Sequence, residues 1–426
     1  MRKQISPATS VSGAIQLPGD KSISHRYAML ASIAEGPTKI SNYSTGADCQ
    51  STLACMRALG AANETQDGVV CVHGQGLDGL REPAAALDAG NSGSTIRMLS
   101  GILAAQPFAT TIAGDESLSK RPMQRIIQPL SQMGARIQAR ENRFPPLTIQ
   151  GAALHPIEYT LPVPSAQVKS CVLLAGLFSN GRTTVHEPLR TRDHTELALR
   201  EFGADVDVDG LSISVTGRPR LEGRELRVPG DLSSAAFFLV AALIVGESNL
   251  TIHGVGLNPT RSALLDFLAE MGAQIKILDV TSSGGELIGD TSIRKSRIQG
   301  GILEKARTAA LIDEIPVLAI LGAASEEGLV VRDASELRVK ETDRIATIAE
   351  NFQRMGLAIK LHEDGFEVPG RQQFHAAEVD SFGDHRIAMA FSIAALAADG
   401  PCTILGADAA SVSFPEFFDT LQRVVE

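Results

Sequence analysis

Two kinds of apolar run alternate along the chain, and the alternation occurs six times. The first kind opens on small or polar residues and then becomes almost wholly apolar, as in Ser233 to Val245 or Arg386 to Ala398. Runs of this kind begin at Asp20, Asn91, Ser165, Asp231, Asp313 and Asp384. Their length and lack of a polar stripe predict helices that are apolar all round, and such helices belong in an interior. The second kind is a short Thr/Val-rich run, centred on Ile40, Ile112, Val185, Ile252, Val331 and Ile404. These predict strands, each 18 to 21 residues past a helix start. A charged turn and a second helix follow every strand. Five of these second helices close at Gly60, Gly134, Gly203, Gly272 and Gly356, where glycine suits a left-handed cap, and the sixth runs from Phe414 to Val425.

The strand centres lie 67 to 79 residues apart, too far for ordinary solenoid units of about 20–50 residues. A length of 426 residues alone suggests about three domains, but six repeats divide more naturally into two halves of three. The halves echo each other, because Leu17-Pro18-Gly19-Asp20-Lys21-Ser22 recurs as Val228-Pro229-Gly230-Asp231-Leu232-Ser233. The Pro-Gly pairs in these segments are the candidate boundaries. The prediction is an α/β protein whose helices start together at one end of each half. Helix N-termini carry unsatisfied N–H groups and the positive end of the helix dipole, so a gathering of them favours anions.

Charge changes that picture only in detail. The net charge is −10 with no basic block, which argues against nucleic acid and anionic membrane surfaces as partners. The longest apolar stretch, Ala235 to Val245, is too short to span a bilayer, and the N-terminus lacks a signal-type apolar core. Five cysteines without a C-x-x-C pair point to a reducing, cytoplasmic setting. Several familiar motifs are absent or misleading. Gly74-x-Gly76-x-x-Gly79 is followed by Pro83 where a dinucleotide-binding fold needs a helix, so it is a turn; no P-loop occurs, and the nine histidines lack metal-type spacing.

The chemistry lies in the cations at the predicted helix starts. Lys21, Ser22 and Arg26 open the first interior helix, Gly93 and Arg97 the second, and Ser165, Gln167 and Lys169 the third. Turns add Arg121, Arg192, Arg338, Lys340 and Arg344, and Arg386 opens the last helix. Any one of them could be a solvated surface charge. Together, at matching points of a repeat in an acidic chain, they imply small multiply anionic ligands, gripped by Arg forks and Lys point charges. Two acids lie among them. Asp313 is either a helix cap or a proton acceptor, or both. Glu341 is either an ion-pair partner or a proton donor, and a helix through this segment would set Lys340 and Arg344 on one face beside it.

Four segments, Leu17-Pro-Gly-Asp-Lys-Ser-Ile-Ser-His-Arg26, Gly90-Asn-Ser-Gly-Ser-Thr-Ile-Arg97, Arg338-Val-Lys-Glu-Thr-Asp-Arg344 and Asp384-His-Arg386, resemble the signatures of the EPSP synthase family. The resemblance spans nearly the whole chain. It implies a two-domain enolpyruvyl transferase fold, each domain being three βαβαββ units with sheets outside the buried helices, and domains that close over the substrates. One domain is then discontinuous, at 1–19 with 230–426, and the other occupies 20–229.

The resemblance also implies transfer of the enolpyruvyl group of phosphoenolpyruvate to the 5-hydroxyl of shikimate 3-phosphate, by a monomer without metal or organic cofactor. Lys21, Ser22, Arg26, Ser165, Gln167, Arg192, Asp313 and Lys340 are then shikimate 3-phosphate ligands. Lys21, Gly93, Arg121, Gln167, Arg344 and Arg386 are then phosphoenolpyruvate ligands. Asp313 takes the hydroxyl proton, Glu341 protonates the methylene carbon, and any role at the leaving phosphate falls to Lys21 or elsewhere. Ala166, also expected at the substrate, and the Arg192 turn replace Ser-rich segments of the best-known bacterial form, as in the family's second subclass. Some relatives carry a Lys before Thr-Phe-Pro near the C-terminus, whereas Val412-Ser413-Phe414-Pro415 has none. Insensitive relatives often carry a bulkier residue in place of Gly93, so sensitivity to glyphosate is expected. The alternatives are a UDP-N-acetylglucosamine enolpyruvyl transferase, which typically uses a Cys in a Gly-rich loop, and a non-catalytic sugar-phosphate binding protein.

Overall fold

A computed structural model describes residues 1–426. Each strand centre of the repeat is a buried residue in the interior of a small sheet. Ile40, Ile112, Val185, Ile252, Val331 and Ile404 each have a parallel neighbour on one side and an antiparallel neighbour on the other. Five sheets have four strands and the sixth has three. The apolar runs form six interior helices, at Lys21–Ile33, Gly93–Leu103, Ala166–Gly176, Leu232–Ile244, Ile315–Ala324 and His385–Leu396. In Leu232–Ile244 every residue but the last is buried. This is the physical consequence of lacking a polar stripe.

The chain divides into two compact units. One comprises Met1–Pro18, Pro229–Ser282 and Leu287–Glu426; the other comprises Gly19–Val228 and the hairpin tip Ser283–Glu286. Each contains one continuous apolar core. The first unit takes two strands from the N-terminal segment. Arg2–Ile5 supplies the antiparallel strand beside Cys402–Leu405, and Ser12–Gln16 supplies the parallel strand beside Asn249–Gly256. In the second unit Glu225–Arg227 returns to pair with Glu35–Ser41, so a late strand completes its first sheet. At the hairpin tip, Glu286 Oε1 lies 2.7 Å from Nδ1 of buried His194.

The expected helix limits shift at three places. The second interior helix is capped by Ser92 rather than Asn91, and the last helix of the chain spans Phe417–Val424 instead of starting at Phe414. Phe414 packs against Phe238 and Phe417. The fifth interior helix starts at Ile315, with Glu314 at its N-cap position and no side-chain cap. Asp313 is therefore not a helix cap. The other five interior helices are capped by Asp20, Ser92, Ser165, Asp231 and Asp384. All five expected closing glycines have positive φ, between 71° and 112°.

Candidate active site

In the second unit, side chains tie three helix starts together. Lys21 Nζ donates to Asp48 Oδ2 at 2.8 Å, and the Asp48 carbonyl accepts from Thr95 Oγ1 of the second interior helix at 3.4 Å. Thr52 hydrogen bonds both to His25, on the first interior helix, and to Thr95. Burial holds the His25 imidazole well below its ordinary value, with Lys21 and Arg26 acting in the same direction, so this link is neutral. Between the second and third helices, Arg97 Nη1 donates to Gln167 Oε1 at 2.7 Å, and Gln167 Nε2 donates to Ser94 Oγ at 2.9 Å. Ser165 caps the third helix and Ala166 is its first residue. One turn in from the first helix start, buried Arg26 donates from Nη1 to the Ser22 carbonyl, from Nε to Thr195 Oγ1 and from Nη2 to Ser170 Oγ, at 2.6 to 2.8 Å.

Burial lowers the Arg26 guanidinium to about 10, Glu196 opposes the shift and Arg192 adds to it, so Arg26 is cationic at neutral pH. That coupling places Arg192, in the turn before the helix His194–Glu201, in the same electrostatic cluster. Arg121 is buried and donates from Nη2 to Asn91 Oδ1 at 2.8 Å and to Ser117 Oγ at 3.1 Å. A Cβ on Gly93 would lie 3.0 Å from Arg97 Nη1 and 3.5 Å from Arg121 Nη1. The first contact is tight and asks the Arg97 guanidinium to give slightly, and the second is ordinary van der Waals contact.

In the first unit, Asp313 stands among cations. Lys340 Nζ and Arg344 Nη1 each lie 3.6 Å from its Oδ1, and its main-chain carbonyl accepts from Arg386 Nη1 at 2.8 Å. Arg344 is buried, with Nε 2.7 Å from Asp384 Oδ2 and Nη2 2.6 Å from Glu341 Oε2. Burial opposes the charge on Arg344, but Asp384, Glu341 and Asp313 outweigh it and raise the guanidinium above its usual value. Burial likewise opposes ionisation of Asp384, and Arg344 reverses this, holding the carboxyl below its ordinary range. Beneath Arg386, Glu314 accepts from Ser233 and from Arg261, and its Oε1 is 3.8 Å from Arg386 Nη1. Helix starts four, five and six therefore meet through these four residues.

Some expected roles change. Lys340 to Asp343 is not helical, because a 3-10 helix ends at Val339 and the next helix begins at Arg344. Lys340 and Arg344 meet at Asp313 instead of sharing a helix face. Arg338 binds Asp343 and the carbonyls of His362 and Glu363, a structural duty. Lys169 is sealed between Glu187 and Glu196 and offers nothing to a ligand. Sequence reasoning overlooked Asp48, Ser170, Thr195, Arg261 and Glu314. Only Asp48 had a signal, since it and Asp193 both lie eight residues past a strand centre. The Gly74 motif lies at the end of the strand Val69–Gln75 and the following turn.

Six sheet-and-helix repeats, set in two units whose helix starts gather lysines, arginines and a pair of carboxylates, define the enolpyruvyl transferase class. The family model for EPSP synthase (3-phosphoshikimate 1-carboxyvinyltransferase) matches residues 5–421. The chain is 66% identical over 426 residues to the 3-phosphoshikimate 1-carboxyvinyltransferase of Solibacter usitatus (strain Ellin6076), covering all of both chains. It is 52% identical to that of Koribacter versatilis (strain Ellin345), over 99% of each. An EPSP synthase structure from Acinetobacter baumannii, 43% identical, superposes with a TM-score of 0.89 over 100% of this chain and 98% of that one. The chain belongs to the EPSP synthase family. No helix is long and apolar enough to cross a membrane.

Proposed function

We propose that the protein transfers the enolpyruvyl group of phosphoenolpyruvate to the 5-hydroxyl of shikimate 3-phosphate, releasing phosphate, and that it works as a cytoplasmic monomer without a cofactor. The observation that carries this reading is the state of Asp313. Its carboxylate stands 3.6 Å from both Lys340 Nζ and Arg344 Nη1, two cations suited to anionic substrates. Lys21, Ser22, Arg26, Ser165, Ala166, Gln167, Arg192, Asp313 and Lys340 hold shikimate 3-phosphate. Lys21, Gly93, Arg121, Gln167, Arg344 and Arg386 hold phosphoenolpyruvate.

In the forward step Asp313 accepts the hydroxyl proton as the oxygen attacks the central carbon of phosphoenolpyruvate, and Glu341 gives a proton to the methylene carbon. In the tetrahedral adduct the methyl group returns a proton to Glu341, its C–H electrons form the carbon–carbon double bond, and the carbon–oxygen bond to the phosphate breaks. The proton held by Asp313 leaves with the phosphate, so both acids are restored. Glu341 accepts from Arg344 in the structure; a substrate carboxylate that takes over Arg344 frees Glu341 to hold its proton. With no lysine near Val412, Lys21 is the cation for the departing phosphate. Phosphate release from phosphoenolpyruvate, measured with shikimate 3-phosphate and separately with UDP-N-acetylglucosamine, tests the reading. Release with the first alone is expected; release with the nucleotide sugar alone overturns it.

A further inference from the structure

Lys169 lies one turn into the third interior helix, fully buried, with Nζ 2.6 Å from Glu196 Oε1 and 3.1 Å from Glu187 Oε2. A lysine in an apolar interior is costly unless it is paired, and an apolar side chain in its place would serve packing equally well. The two carboxylates lead in different directions. Glu187 follows the strand Arg182–His186, and its second oxygen accepts from the hydroxyl of Thr191, which immediately precedes Arg192. Glu196 sits next to Thr195, whose hydroxyl accepts from Arg26 Nε and bonds Ser170, the neighbour of Lys169. Burial raises the Glu196 carboxyl above its ordinary value and the Lys169 ammonium opposes the rise.

We propose that Lys169 is a positioning residue for Arg192 and Arg26, acting on the first through Glu187 and Thr191 and on the second through Glu196 and Thr195. The proposal rests on the reading above, in which these two arginines bind shikimate 3-phosphate. Lys169 touches no substrate. Its ammonium sets where two guanidinium groups stand relative to each other, so its loss weakens the grip on one substrate and not the other. A merely structural lysine has no such selectivity.

The test is steady-state kinetics with each substrate varied in turn, on wild type, Thr191→Val, Lys169→Met and Lys169→Arg, with circular dichroism and Tm recorded for each. Thr191→Val removes one hydroxyl and no charge, and is expected to raise KM for shikimate 3-phosphate about two- to tenfold while KM for phosphoenolpyruvate stays constant. Folded Lys169→Met should raise the same KM further, and Lys169→Arg should recover part of the loss. If Lys169→Met does not fold, Thr191→Val decides alone. A folded Thr191→Val with wild-type KM for shikimate 3-phosphate, or with equal rises in both KM values, overturns the proposal. A wild type that turns over phosphoenolpyruvate with some other acceptor instead overturns the functional reading, and this proposal with it.

Discussion

Asp313 and Glu341 differ from the other acids of the first unit in what surrounds them. Asp384 and Glu314 are sealed against buried arginines, whereas Asp313 stands 3.6 Å from Lys340 and Arg344 and Glu341 accepts from Arg344. Asp313→Asn and Glu341→Gln keep the shape and leave the cations in place. Each is expected to lower turnover by roughly 10²–10⁴-fold while shikimate 3-phosphate still binds, because a proton-transfer partner is lost and the anion grip is not. Titration calorimetry and single-turnover rates separate the two effects. Near-normal turnover in either variant makes that residue structural.

Gly93 is the other position where a single side chain decides an outcome. A side chain added at Gly93 is expected to weaken glyphosate. Its Cβ would lie 3.0 Å from Arg97 Nη1 and 3.5 Å from Arg121 Nη1. Gly93→Ala therefore presses on the Arg97 guanidinium, which is bonded to Gln167, as well as filling space. KM for phosphoenolpyruvate should rise, and the inhibition constant for glyphosate should rise by a larger factor, since the longer ligand tolerates displacement less. Inhibition measured at fixed low phosphoenolpyruvate checks both; an equal rise in the two constants removes the steric reason.

At the scale of elements, the last interior helix shows how one side chain can cap a helix and build a site. Asp384 accepts from the Arg386 amide and also holds Arg344. Asn caps a helix as well as Asp does, so Asp384→Asn removes the charge and keeps the cap. Breaking a buried pair costs about 3–5 kcal/mol, and the lower end applies because Glu341 and Asp313 remain beside Arg344. The sign of the pH dependence follows from the direction of the shift. The folded-state carboxyl lies below its ordinary value, so its contribution is fully present above the unfolded value of about 3.9 and is lost as pH falls through the folded one. Denaturant melts from pH 8 down to 3 should show a constant gap between wild type and variant that closes only below about pH 4. A gap already closing near pH 6 assigns the effect to another group.

For the whole molecule, the two units carry cations assigned to the same pair of anions. A polyanion that binds cations of both units draws them together. Saturating shikimate 3-phosphate is expected to lower the radius of gyration measured by small-angle scattering, and no change with bound ligand counts against closure. The sequence determined a great deal at this scale by itself. The sixfold repeat, the buried helices, the strand centres and the left-handed glycines follow from local periodicity and backbone preference, which a chain carries wherever it folds. The cations at the helix starts were legible for the same reason, since a repeat puts equivalent residues at equivalent places. Only the tertiary structure decided their partners. Lys169 and Arg26 look alike as helix-start cations, yet one is sealed between carboxylates and the other faces hydroxyls. Asp313 looked like a cap until the helix began two residues later. Such outcomes depend on pairings between residues tens of positions apart, such as Glu314 with Arg261 and Arg344 with Asp384, and hydrogen-bond geometry over that distance has no signature in local sequence.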